Sequence, residues 1–155
     1  SAQSTDRDNL QTQRQELADQ KFRLLVVEDN LVNQKVAKGR LNKMGHAVDL
    51  AENGVQAIAL LEQNQYDLIF MDCQMPVMDG YQAAQIIRSR GLAPNTPIIA
   101  MTAHALPGDR QRCLESGMDD YLAKPVTQEV FISVLHHWLI ARSQESAPSE
   151  GNGET

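Results

Sequence analysis

LIFMDCQMPVMDG, residues 68–80, is the stretch that decides the fold. Its first part, Leu68 to Asp72, is apolar without alternation and stops on a carboxylate, the pattern of a strand buried on both faces in a parallel sheet. Working outward, the same kind of run recurs at Phe22–Val27 (FRLLVV) and Ile98–Thr102 (IIAMT), with shorter strands predicted over Ala47–Ala51 and Asp120–Ala123. Each is followed by an amphipathic stretch. Leu31, Val32, Val36, Leu41 and Met44 recur at helical spacing up to Gly45, and further helices are expected over Gly54–Asn64, Tyr81–Arg90, Pro107–Ser116 and Thr127–Ile140. The last presents Val130, Phe131, Val134, Leu135 and Trp138 as one apolar stripe. Strict strand–helix alternation predicts an α/β fold, a (βα)5 unit whose five-stranded parallel sheet carries helices on both faces, because parallel neighbours need right-handed crossovers.

Composition agrees with a globular unit. The chain has 155 residues, is 42% hydrophobic, and sets 14 Lys+Arg against 20 Asp+Glu for a net charge of −6. That length suits one domain with tails. No apolar run approaches the roughly 18 residues of a membrane helix, so a soluble protein without membrane contact is expected. The negative balance offers no basic footprint for a phosphate backbone, which argues against direct nucleic-acid binding. Cys73 and Cys113 form no CxxC and no zinc pattern, so neither a disulfide framework nor a structural metal is indicated, and a reducing, cytoplasmic setting is expected. No export signal is visible at the N-terminus. Residues 1–20 read as a polar linker or the end of a longer helix, 21–142 as the folded domain, and 143–155 (SQESAPSEGNGET) as a disordered tail.

Open parallel sheets place their chemistry outside the carboxyl ends of the strands. Strand one ends in Glu28-Asp29-Asn30, strand three in Asp72, strand four in Thr102-Ala103, and strand five in Tyr121-Leu122-Ala123-Lys124-Pro125. Each has an ordinary explanation alone, such as a helix cap at Asp29 or Asn30. Together they bring three carboxylates, a hydroxyl and an ammonium to one rim. Three carboxylates repel unless a cation offsets them, and Lys124 supplies one positive charge. Oxygen-only donors point to a hard divalent ion, best Mg²⁺, which keeps coordination positions for water and phosphate oxygens. Asp72 has no turn or helix start to cap, and an Asp carboxylate is a competent nucleophile toward phosphorus.

The segments LLVVEDN, MDCQMPVMDG, IIAMTA and YLAKP, in this order and spacing, resemble the receiver domain of two-component response regulators over Lys21–Arg142. The resemblance implies a flavodoxin-like strand order 2-1-3-4-5. It implies that Asp72 is the phosphoacceptor, that Glu28 and Asp29 help hold Mg²⁺, and that Gln74 lends a main-chain carbonyl to the metal. Thr102 would be the hydroxyl that turns toward a phosphoryl oxygen, Ala103 the small residue that leaves it room, and Lys124 the ammonium that pairs with it. Tyr121 would be the aromatic that moves with Thr102, and the Lys124–Pro125 bond would be cis. Pro76, Met78, Asp79 and Gly80 are expected to shape the loop after the acceptor. His104 reads as a rim imidazole without a role, and His136 and His137 as a partly exposed pair.

The wording VEDNLVNQ, MDCQMPVMDG and TAHALPGDRQRC is similar to receivers fused to hybrid sensor histidine kinases. On that resemblance the partners are a histidine kinase core, a histidine phosphotransfer domain, or both, within a parent kinase that could be anchored in the inner membrane. The isolated domain would show self-phosphorylation and autodephosphorylation only. A haloacid-dehalogenase-type phosphohydrolase would need a second Asp where Gln74 stands, and a flavin site would need a Ser/Thr/Gly-rich loop where EDNLVNQ is acidic. A receiver that docks partners without phosphorylation, and a stand-alone single-domain response regulator, remain open.

Overall fold

The computed structural model describes residues 2–142, with side chains described from residue 9 onward; the tail predicted to be disordered, residues 143–155, lies outside the described residues. The chain divides into two units, one over Phe22–Val126 and one built from Ser1–Lys21 with Thr127–Thr155. The predicted domain over residues 21–142 thus contributes to both.

In the larger unit the elements run β1 (Arg23–Val27), α2 (Leu31–Lys43), β2 (Ala47–Ala51), α3 (Gly54–Gln63), β3 (Leu68–Asp72), α4 (Gly80–Ser89), β4 (Ile98–Thr102), α5 (Asp109–Glu115) and β5 (Asp120–Ala123), after the helix α1 (Ala2–Ala18) of the smaller unit. All strand pairs are parallel in the order β2-β1-β3-β4-β5, as the family resemblance implied. The continuously apolar β3 and β4 are buried at every position, and with β1, buried at all but its first residue, they form the three inner strands. The register Asp72↔Met101 and Thr102↔Ala123 ends β3, β4 and β5 on one level, so their terminal side chains share a rim.

Helix starts follow local chemistry. Asn30, Asn53 and Asp79 cap α2, α3 and α4 by accepting from Asn33, Gln56 and Gln82 N–H groups, and Gln82 returns a bond to the Asp79 N–H to complete a capping box. Two sequence readings are corrected. The buried face of α2 is Gln34, Ala37 and Leu41, while Leu31, Val32 and Val36 are exposed. Residues 34, 37 and 41 fall on one side at 100° per residue, and Gln34 tolerates burial because its amide donates to the Glu28 carbonyl at 2.7 Å. Helix α5 begins at Asp109, not Pro107, because Gly108 takes φ +94° and the Asp109 carboxylate turns back to accept from the Leu106 N–H at 2.7 Å.

Arg88 ties α4 to the turn before β5. Its guanidinium donates to the carbonyls of Gly117 and Ala93 and to Asp119, whose carboxylate also accepts from the Ile98 N–H at the start of β4. At the opposite end of the sheet His46 is buried, and its Nδ1 accepts from the Phe22 N–H at 3.1 Å. That bond makes Nε2 the protonated nitrogen of the neutral ring, and this buried N–H has no partner among the described residues. Burial lowers the His46 pKa below its ordinary value, against a smaller upward pull from Asp67. The folded state therefore binds this proton less readily than the unfolded chain. His46 contributes full stability above the unfolded value of about 6.5, and loses it as pH falls through the lower folded value. A His46→Asn variant keeps an acceptor near Nδ1 without the titration. Melting followed by circular dichroism is expected to show wild type losing a few degrees relative to this variant between about pH 7.5 and pH 5; parallel curves would contradict it.

In the smaller unit α1 packs with α6 (Gln128–Leu135) and with the π-helical turn His136–Ala141 that continues it. The stretch read as a polar linker or helix end is thus helical, with Leu17 buried and the Glu16 carboxylate 3.2 Å from His136 Nε2. Of the predicted last-helix stripe, Phe131, Val134 and Leu135 are buried, Val130 is exposed, and the helix changes to π geometry at His136. His136 is half-buried and His137 exposed. Among the described residues no helix is long and apolar enough to cross a membrane.

Candidate functional site

The rim at the carboxyl ends of β1, β3 and β5 gathers the charged residues singled out from the sequence. Lys124 Nζ lies 2.7 Å from Glu28 Oε1 and 3.0 Å from Asp72 Oδ2, bridging residues from three strand ends. Glu28 and Asp72 are 2% and 3% exposed and Lys124 is half-buried, so the two acids are desolvated and this is not a surface pair. Asp29 points to solvent, yet a carboxylate oxygen from each of Glu28, Asp29 and Asp72 falls within 4.8 Å of the others. Backbone donors complete the shell: the Asn30 N–H reaches Glu28 Oε2 at 3.0 Å and the Gln74 N–H reaches Asp72 Oδ1 at 3.1 Å.

The electrostatics split the two buried acids. Burial pushes Asp72 up to about 6, reinforced by the Glu28 charge and opposed by hydrogen bonds from Lys124 and the Gln74 N–H. Glu28 feels the same burial, but Lys124 and the Asn30 N–H outweigh it and hold its carboxyl below the ordinary value. Burial also works against the Lys124 ammonium, and its two carboxylate partners more than compensate, raising its pKa. Three carboxylates face one ammonium. The donor set is all oxygen, and its residual negative charge fits a hard divalent cation better than any softer ion.

Thr102 is buried at the end of β4, but its hydroxyl faces its own loop: it donates to the His104 carbonyl at 3.0 Å and accepts from the His104 N–H at 3.1 Å. Ala103 is exposed beside it, Tyr121 is half-buried on β5, and the Lys124–Pro125 peptide is cis. A cleft of about 680 Å³ opens alongside, lined by Asp29, Gln74, Thr102, His104 and Tyr81 among others. The structure thus brings Glu28, Asp29, Asp72 and Lys124 together, places Gln74 against Asp72 through its N–H, and leaves Thr102 and Tyr121 at the edge.

Two features of the loop after Asp72 escaped the sequence reading. Gly80 lies so close to β3 that a Cβ there would sit 2.3 Å from the Asp72 carbonyl oxygen, and its N–H donates to the Cys73 carbonyl at 3.0 Å. Pro76, Met78, Asp79 and Gly80 were expected to shape the loop, but a close approach across eight residues leaves no periodic signal. Val77 has φ +72° and is 82% exposed. A β-branched residue in the left-handed region costs about 1–2 kcal/mol. Glycine would remove that cost, lose almost no packing, and give back about 0.5–1 kcal/mol through the looser unfolded chain. Val77→Gly is therefore expected to gain roughly 0.5–1 kcal/mol in urea unfolding; a loss would mean that the side chain packs in solution.

A family profile for the response regulator receiver domain matches residues 24–136. The chain is 43% identical over 112 residues to sensor histidine kinase RcsC of Escherichia coli K12, an alignment covering 72% of this chain and 12% of RcsC. It is 38% identical over 133 residues to sensor protein GacS of Pseudomonas syringae, covering 84% of this chain and 15% of GacS, so it spans only a small part of either kinase. It is similar, with TM-score 0.71 and 45% identity over 77% of this chain and 98% of the other, to the receiver domain of sensor histidine kinase PA1611 from Pseudomonas aeruginosa PAO1, whose crystal structure has a magnesium ion coordinated in the active site cleft. It is also similar to the receiver domain in the co-crystal structure of the Saccharomyces cerevisiae histidine phosphotransfer protein Ypd1 with the response regulator Ssk1, with TM-score 0.72 and 35% identity over 76% of this chain and 88% of the other.

Proposed function

This chain belongs to the response regulator receiver domain family, and from that membership we propose that it takes a phosphoryl group from a phosphohistidine onto Asp72 as a module of a hybrid sensor histidine kinase. The observation that carries the proposal is the buried bridge from Lys124 to Asp72 and Glu28, with Asp29 beside it. Such a cluster costs folding energy and is hard to explain as scaffolding.

An Asp72 oxygen attacks phosphorus in line, the bond from phosphorus to the imidazole nitrogen breaks, and the imidazole leaves with that electron pair. With a pKa near 6, Asp72 is ionised and nucleophilic at neutral pH even without further help. Lys124 sits where it can follow charge from the carboxylate to the transferred phosphoryl oxygens. The residues that would hold Mg²⁺ are Glu28, Asp29, Asp72 and the Gln74 main-chain carbonyl, and the ion, when bound, neutralises charge on the phosphoryl oxygens. The small Ala103 leaves room beside the acceptor. Thr102 must exchange its two bonds with the His104 backbone for one to a phosphoryl oxygen. With Tyr121 following, that exchange is a two-state element that phosphorylation can bias.

Docking of a phosphohistidine-bearing partner is supported by the apolar residues that α2 leaves in water next to the cluster: Leu31 at 62%, Val32 at 67% and Val36 at 44% exposed. A histidine kinase core or phosphotransfer domain fits that face, and a cytoplasmic setting, where an ATP-fed kinase works, suits such a module. Acetyl phosphate tests the site directly. Intact mass and peptide mapping are expected to find one phosphoryl group, on Asp72, formed only with Mg²⁺ present. An unlabelled chain under both conditions would favour a receiver that docks partners without phosphorylation, and a label elsewhere would overturn the assignment.

A further inference from the structure

Glu28 and Lys124 meet at 2.7 Å from segments far apart along the chain, so their alignment depends on what fixes those segments. A lysine cannot fix itself: its ammonium is a point charge on a flexible four-carbon stem, and it aims only as well as the backbone that carries it. The Lys124 backbone is fastened on the sheet side, where its N–H donates to the Thr102 carbonyl at 2.8 Å. β5 is an edge strand, and beyond Ala123 the chain leaves the sheet. Two residues past Lys124, the Val126 carbonyl accepts a hydrogen bond from the Arg40 guanidinium, 86 positions away in sequence. Val126 is buried and Arg40 half-buried.

Arg40 belongs to α2, and so does Gln34, whose amide donates to the Glu28 carbonyl. One helix thus bonds to the main chain at Glu28 and close to Lys124, the two members of the pair. A bond from a guanidinium to a carbonyl is charge-assisted, and such bonds are roughly twice as strong as neutral ones.

We propose that Arg40 is a positioning residue: by tying the Val126 carbonyl to α2 it keeps the Lys124 ammonium between Glu28 and Asp72. The proposal deepens the function above, because Lys124 is the group that follows charge onto the transferred phosphoryl oxygens. Without the guanidinium, the segment after β5 keeps its bond to β4 but loses its tie to α2, and Nζ spends time away from Asp72. A misplacement of about 1 Å can cost on the order of 100-fold in rate, so a loosened segment has a measurable effect.

The test uses the whole chain with Arg40→Met, which keeps an unbranched stem without the guanidinium, and Arg40→Lys, which keeps a cation with fewer donors. In one arm, trace acetic anhydride at a single pH without Mg²⁺ is followed by peptide mapping, with the exposed Lys21 and Lys35 as internal references. Against these references Lys124 is expected to be acetylated about 3-fold faster or more in Arg40→Met, and by a smaller factor in Arg40→Lys, which decides the matter if Arg40→Met does not fold. In the other arm, acetyl phosphate with Mg²⁺ should label Arg40→Met about 10-fold more slowly than wild type, and the same substitution should change nothing in a Lys124→Ala background, because the two residues act as one unit. An Arg40 that serves folding alone would leave Lys124 acetylation unchanged in folded protein, and would cost labelling the same factor with and without Lys124. Either result overturns the proposal. A wild-type chain that refuses acetyl phosphate would sink the reading of Asp72 as acceptor, and the acetylation arm would still decide on Arg40.

Discussion

Replacing Asp72 by Asn is expected to abolish labelling by acetyl phosphate, by about 100-fold or more, while making the folded protein harder to melt. The first effect follows because the amide retains the shape of the carboxylate but has no anionic oxygen to attack phosphorus. The second follows from the charge balance. Asp72 has a folded pKa of about 6 against 3.8 for an ordinary Asp, so the folded state holds its proton more tightly than the unfolded chain does. Ionised Asp72 therefore costs stability at neutral pH, on the order of 1–3 kcal/mol by linkage. That cost fades as pH falls from about 6 toward 3.8, because the proton then returns in the folded state first. Asn removes the charge but also one Lys124 contact, leaving a net gain of about 1 kcal/mol or a few degrees at pH 7. Lys124 keeps its 2.7 Å partner in Glu28, so the substitution does not strand the half-buried ammonium. Thermal melts without divalent ions should show the gap between variant and wild type closing as pH drops toward 4. A variant that melts lower at neutral pH would mean that the Asp72 carboxylate is held by more favourable contacts than its two bonds, from Lys124 and the Gln74 N–H.

Gly80→Ala is expected to be the most damaging single-methyl change in the larger unit. The new Cβ would lie 2.3 Å from the Asp72 carbonyl oxygen and 3.0 Å from both the Asp72 carbonyl carbon and Cys73 Cα. All three are backbone atoms, so no rotamer change relieves the clash. Either α4 backs away from β3 or the end of β3 moves, and both shift Asp72. Overpacking in a well-packed core costs about 1–3 kcal/mol, and loss of the Gly80 N–H bond to the Cys73 carbonyl adds about 1. A total of about 2–4 kcal/mol in urea unfolding is expected, with labelling of whatever folded protein remains reduced about 10-fold or more. Gly39→Ala is the matched control. A Cβ there meets nothing within 4 Å, and the position is inside α2, so that change should stabilise by roughly 0.5–1 kcal/mol. Equal responses at the two positions would show that the approach of α4 to β3 is looser than the distances indicate.

Apolar runs and their punctuation were enough to place β2, β3, β4 and β5 at their observed bounds and to put Glu28, Asp29, Asp72, Thr102 and Lys124 at strand ends. A strand buried on both faces must be continuously apolar, so LIFMD and IIAMT could scarcely read otherwise. Helix faces were less legible. Val32 and Val36 look like core in a list of apolar positions, yet the side of α2 that is buried carries Gln34. A buried amide is tolerated there because it has a backbone partner, and that partner comes from outside the helix.

Sequence by itself therefore determined the parallel α/β scaffold and the rim on which the acids gather, because avoidance of water is a property of each residue and repeats with the period of its strand or helix. Only the tertiary structure decided that Glu28 is the acid paired most closely with Lys124, that Asp29 faces solvent, that Asp72 has its charge penalised, and that the Thr102 hydroxyl is turned to His104. It alone brought Gly80 against Asp72. These are separations between atoms far apart along the chain, and they are set by how β-strands and helices pack; neighbouring residues in sequence carry no record of them.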